Sequence, residues 1–221
     1  FVQQQIRRGN SGRALALTGK DIMAVHQSSP DRSLQTGVLD TAIANGQATL
    51  SCWIYRASDN AALTVYFTGT GSYERDVAVR VLPKSGRVAY AEAERWRETD
   101  RVVPVAQWTP ITIEVNLDAR SYSASVGESS TPICRQVSYA PPTDRYITQH
   151  GVDTVQIKVP SYRVFNALMF VPPEGSKEIV YLDDVSVKWV PTLHFAKPGK
   201  QKLVEANFEN GQPGSTQLGH P

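Results

Sequence analysis

A chain of 221 residues, 41% of them apolar and 20% charged, is long enough to bury one sizeable hydrophobic core. Its net charge of +2 gives no electrostatic reason to bind nucleic acid or an anionic membrane. No apolar run approaches the ~18 residues a transmembrane helix needs, so no membrane insertion is expected.

In chain order, short alternating runs predict strands over 13–18, 34–41, 47–56, 61–68, 74–82 and 86–93. Ser58-Asp-Asn60 and Pro83-Lys-Ser-Gly86 carry the residues that turns require. Glu94 to Arg101 is polar and holds Trp96 between Arg95 and Arg97. Two readings stand there: a loop anchored by Trp96, or a Trp96 that stacks on a sugar ring together with Tyr73. Tyr66 and Tyr90 could line the same face or sit in the core. The mixed charges, with Glu94, Glu98 and Asp100 alongside, disfavour nucleic acid.

The clearest alternation is Trp108 to Asp118. Ile111, Ile113, Val115 and Leu117 share one face, and Thr112, Glu114, Asn116 and Asp118 the other. After a turn, Tyr122, Ala124 and Val126 alternate with serines, which completes a hairpin with one wet face. Further strands are predicted over 130–137, 153–159, 162–171 and 178–190, and a short helical turn fits 143–149. Cys52 and Cys134 each lie in a strand-like run, and two readings stand for them: a disulfide or two buried thiols. The predicted fold is all-β, a two-sheet antiparallel sandwich with an extra strand at its C-terminal end.

No chemistry-bearing motif interrupts this pattern. The histidines His26, His150, His194 and His220 are not near one another in sequence, and neither a Gly-x-Ser-x-Gly elbow nor a Gly-rich phosphate loop is present.

The order of Ser11-Gly-Arg-Ala-Leu-Ala-Leu17, Ala48-Thr-Leu-Ser-Cys-Trp-Ile-Tyr55, the hairpin over 108–127 and Tyr181-Leu-Asp-Asp-Val-Ser-Val187 resembles the LamG-like, concanavalin A-like jelly-roll domains of secreted bacterial-type proteins. The resemblance spans most of 10–190 and implies a jelly roll in an extracellular or cell-surface setting. Such domains open with an apolar strand ending in Phe-Glu. Here that pattern stands after the closing strand, in Leu203-Val-Glu-Ala-Asn-Phe-Glu209, followed by Asn-Gly-Gln-Pro-Gly214. The resulting division is a sandwich over 1–190, a linker over 191–202, and a C-terminal strand and tail over 203–221.

Three readings of that tail are open. It could complete a neighbouring subunit, fold back on its own sheet, or open a further domain. We expect the first: a non-catalytic extracellular protein that joins copies of itself head to tail into a fibre or surface layer. Val204, Ala206 and Phe208 would plug a groove beside 179–189, and Gly211, Pro213 and Gly214 would turn the chain beyond it. The alternative is a carbohydrate-binding module of a larger protein that processes or adheres to polysaccharide. Third is a glycoside-active enzyme. The resemblance also implies a structural calcium site with Asp183 or Asp184 and Glu209 as ligands. Related glycosidases place acids at alternate positions of one strand, and Glu114-Val-Asn-Leu-Asp118 comes closest, with Asn116 at the middle position and no third acid.

Overall fold

The computed structural model describes residues 2–3, 14–19, 23–26, 45–68, 77–92, 95–139, 145–149, 155–159, 165, 167–192 and 201–206. In chain order the strands are β1 (Val2–Gln3), β2 (Ala14–Leu17), β3 (Met23–His26), β4 (Gln47–Arg56), β5 (Leu63–Thr68), β6 (Val77–Val81), β7 (Arg87–Glu92) and β8 (Arg95–Val102). There follow β9 (Trp108–Asn116), β10 (Ser121–Val126), β11 (Cys134–Ser138), β12 (Arg145–Gln149), β13 (Val155–Val159), β14 (Ala167–Val171), β15 (Val180–Val190) and β16 (Gln201–Ala206).

Two antiparallel sheets carry the fold. The larger runs β1-β2-β15-β4-β9-β10-β11, with β16 also paired to β15. The second runs β3-β14-β5-β6-β7-β8, and β12 and β13 form a separate hairpin. The central strands alternate as the sequence dictates. Leu50, Cys52 and Ile54 of β4, Ile111, Ile113 and Val115 of β9, and Tyr122, Ala124 and Val126 of β10 point into one core. Val65 and Phe67 of β5, Val79 and Val81 of β6, and Leu168 and Phe170 of β14 meet them from the other sheet. Each large aliphatic or Phe side chain buried there contributes roughly 1.5–3 kcal/mol. Tyr122 crosses the layer, and its hydroxyl donates to the carbonyl of Ala91 in β7.

The tail strand sits on its own chain. Val204 stands opposite Val187 and Ala206 opposite Val185, along the same edge of β15 where Leu15 and Leu17 of β2 pair with Leu182 and Val180. Phe208, Gly211, Pro213 and Gly214 lie outside the described residues, as does the predicted strand over 34–41.

Two expectations are corrected. The polar stretch over 94–101 holds a strand, β8, at the edge of the second sheet, where charged residues are tolerated because solvent bathes the open side. The helical turn over 143–149 is replaced by β12, which finds its hydrogen bonds on β13.

One buried cation closes an end of the core. Arg56 is 2% exposed. Its guanidinium donates to the carbonyls of Ala61 (2.8 Å), Val103 (2.7 Å) and Asp59. The loop between β4 and β5 and the loop between β8 and β9 are thereby tied to the end of β4. Gly86 makes room for it: φ is +65°, and a Cβ there would lie 2.1 Å from Arg56 Nη1. Replacing Arg56 by Met strands buried carbonyls at about 1–3 kcal/mol each, so unfolding by urea should show a loss of about 3 kcal/mol or more. Gly86→Ala should cost a similar amount through the same contact. Urea midpoints unchanged in both variants would refute this account of Arg56.

Candidate functional site

The alternation that fills the core also decides what the outer faces present. On β4, Thr49, Ser51, Trp53 and Tyr55 point away from the core, and on β9 Trp108, Pro110, Thr112, Glu114 and Asn116 do the same. Strand register then lines them up in rows. Thr49, Glu114 and Ser123 stand side by side across three strands, as do Gln47, Asn116 and Ser121, and Ser51, Thr112 and Ser125.

At the polar end these rows border a trough of about 310 Å³, lined by Thr49, Glu114, Asn116, Ser121, Ser123 and Gln136 among others. A β-bulge between β10 and β11 shapes one wall. Gln136 there has φ of 47°, and its N–H donates to Ser123 Oγ at 3.0 Å. Asn116 Oδ1 accepts from the N–H of Ala119 at 2.9 Å, which fixes the amide at the lip. The trough therefore offers hydroxyls, amides and one carboxylate on a rigid sheet.

At the other end the same face turns apolar. Tyr55 packs on Trp108 (ring centroids 5.4 Å apart) and on Tyr181 (5.9 Å). With Ala14, Ala16 and Ile179 these rings make a second small cluster outside the main core. Sequence reading passed over them as a group. The signal was there, because Trp53 and Tyr55 are out of phase with Leu50, Cys52 and Ile54. Joining them to Trp108 and Tyr181 needed the strand order.

Other predicted sites fall as follows. Glu114 and Asn116 share the trough, whereas Asp118 lies in the turn after β9, where its oxygens accept from the N–H of Gly46 at 3.3 Å. The structure thus does not bring Glu114 and Asp118 together as an acid pair. Trp96 and Tyr66 stand on the outer face of the second sheet, Tyr90 packs against the core, and Tyr73 is outside the described residues. Asp183 stands at the start of a bulge in β15 and Asp184 lies within it. Asp183 is buried and takes the N–H of Asp184 on Oδ1 at 2.8 Å, and Asp184 is exposed with φ of 45°. Glu209 lies outside the described residues, and among those described no cluster of three His, Cys, Asp or Glu could hold a metal ion.

The disulfide reading is corrected. Cys52 and Cys134 are free, buried thiols on β4 and β11, with β9 and β10 between them. Three strand spacings put them about 14 Å apart, well beyond the ~7 Å limit for Cα atoms of a bridge.

No family model and no curated protein matches the sequence. Solved structures do. A sialidase aligns over 79% of this chain with TM-score 0.51 and 9% identity. This chain spans only 15% of the length of that sialidase chain. A tetrameric galectin from the ball sponge Cinachyrella sp. aligns over 76% of this chain and 99% of its own, with TM-score 0.41 and 12% identity. The catalytic domain of a glycoside hydrolase family 131 protein from Coprinopsis cinerea covers 79% of this chain and 69% of its own, with TM-score 0.39 and 10% identity. The fold is a jelly-roll β-sandwich. At these identities the likeness is one of fold.

Burial raises both thiol pKa values from 9.0 to about 12. A folded-state value above the unfolded one adds stability below pH 9 that is lost as pH rises toward 12. Burial pushes the Tyr122 phenol up as well, in the same sense. Thermal midpoints should therefore fall from pH 9 upward, less steeply in a Cys52→Ala/Cys134→Ala variant. At pH 8 Ellman's reagent should find no reactive thiol in the native chain and both after unfolding. Rapid reaction of the native chain would contradict the assigned burial.

Proposed function

We propose that this chain is a non-catalytic carbohydrate-binding module that seats a short stretch of polysaccharide in the trough on its larger sheet. The trough itself carries the proposal. Its groups match sugar hydroxyls, which both donate and accept: Ser and Thr do both, Asn116 and Gln136 offer amides, and Glu114 accepts. The space suits a small ligand, since binding clefts begin at about 300 Å³. The sialidase neighbour is carbohydrate-related by its name, but likeness of fold alone does not carry that to this chain.

Binding should be weak. Each hydrogen bond to a sugar is worth about 0.5–1.5 kcal/mol net, and association has its own cost, so a Kd of about 0.1–1 mM is expected. Among the described residues Glu114 is the one carboxylate lining the trough and Asp118 is spent in a turn, which supports binding over hydrolysis. A polysaccharide panel read by calorimetry should find a ligand. Glu114→Ala should weaken it about tenfold, and Ser123→Trp, which fills the trough, should abolish it, with thermal midpoints nearly unchanged. Absence of any binding, or release of reducing ends from a bound polysaccharide, would reject the proposal.

A second reading keeps assembly through the tail, in an extracellular fibre or surface layer. The observation favouring it is the seat on β15 filled by Gln201–Ala206. In the structure that seat is filled from within the chain, across a ten-residue connection from Val190 to Gln201. So short a tether gives a local concentration of about millimolar, which favours the chain's own strand over a neighbour's in dilute solution. Light scattering should then find residues 1–221 monomeric at micromolar concentration, and 1–200 prone to associate through the bared edge. Polymers of 1–221 that Phe208→Asp abolishes would instead establish strand donation.

A further inference from the structure

The outer face of the second sheet carries a feature the trough does not use. Arg80 of β6 stands between Thr64 of β5 and Ala89 of β7, and Ala89 in turn faces Glu98 of β8. One row over, Ala78 faces Tyr66 and Ala91 faces Trp96. Ala78, Ala89 and Ala91 are buried although they face outward. Longer side chains around these small residues cover them. Arg80 does so with its guanidinium carbon 4.2 Å from the centroid of the Trp96 ring.

Among the described residues no carboxylate pairs with Arg80, and its Nε is enclosed with no hydrogen-bond partner. Arg56 and Arg97 differ. Arg56 is spent on three carbonyls, and Arg97 pairs with Glu92 at 2.7 Å.

We propose that Arg80 is the centre of a second binding site, on the sheet opposite the trough, for the carboxylate of an acidic polysaccharide. Stacking occupies the face of the guanidinium and leaves its in-plane N–H fork for an oxyanion. With Nε enclosed, the two terminal nitrogens make that fork. The guanidinium is planar by resonance and the Trp96 ring holds it in place beforehand, so little freedom is lost on binding. Glu98, two strands away in the same row, decides the class of ligand. A polyglutamate offers Glu98 only further carboxylates, whereas a uronic acid brings a carboxylate for Arg80 and, on the same ring, hydroxyls from which Glu98 accepts.

The test is affinity electrophoresis of the full chain through gels containing polygalacturonate, dextran sulfate, dextran or polyglutamate. Polygalacturonate should retard the wild type. Arg80→Gln should weaken that retardation at least about tenfold. Arg80→Lys should weaken it severalfold, because an ammonium lacks the fork, and Lys177→Gln, which removes an exposed positive charge from the loop before β15, should leave it unchanged. Retardation by dextran sulfate that Arg80→Gln removes would support the same site with a sulfate ester as its anion. An unretarded wild type in both the polygalacturonate and the dextran sulfate gels would overturn the proposal. So would wild-type retardation in both folded Arg80 variants, or equal retardation by polyglutamate.

Discussion

Two sheets share a single dry interior, and every central strand must give alternate residues to it. That constraint sets the rest of the molecule. On β4, β9 and β10 it sends Leu50, Ile111, Ile113, Tyr122 and their neighbours inward. The residues between them are thereby left facing out, and no local preference of theirs can change it, because a one-residue slip would put a whole strand's apolar face in water. Polar contacts inside the layer are few and specific. Tyr122 ties the two sheets through Ala91, and Arg56 ties two loops to one strand end.

Register then decides what the outer faces present. On the larger sheet, hairpin and neighbour pairings stack hydroxyls, amides and Glu114 at one end and aromatic rings at the other. On the second sheet, alanines between long side chains leave Arg80 lying on Trp96. The two surfaces differ in chemistry. One is a cleft of neutral donors and acceptors, and the other is a shelf with a held cation.

Edges divide the labour differently. Strand β15 is bordered along its length by β4, and its other side is shared end to end by β2 and β16 on either side of the Asp183 bulge. That edge would otherwise offer a row of unpaired backbone groups to any passing strand. At the far side of the second sheet, β8 meets the same hazard with charge: Arg95, Arg97, Glu98 and Asp100 are all exposed. Charged side chains are what keep such an edge from pairing, and they are also why β8 does not look like a strand in sequence.

The sequence by itself determined the class of fold, the bounds of the strongest strands and the membership of the core. Strand β4 falls where alternation put it, at 47–56, and Ile111, Ile113 and Val115 face the core as read. These follow from a period of two against one buried face, a property local to each strand. Tertiary structure alone decided which outward residues meet. Thr49, Glu114 and Ser123 are 74 positions apart at their extremes and become neighbours only through strand order. The same holds for Arg80 and Trp96, and for the wide separation of Cys52 and Cys134. Alternation tells a residue which face it is on, but pairing between distant strands decides its company, because that pairing is set by the global fit of two sheets and leaves no mark in any one segment.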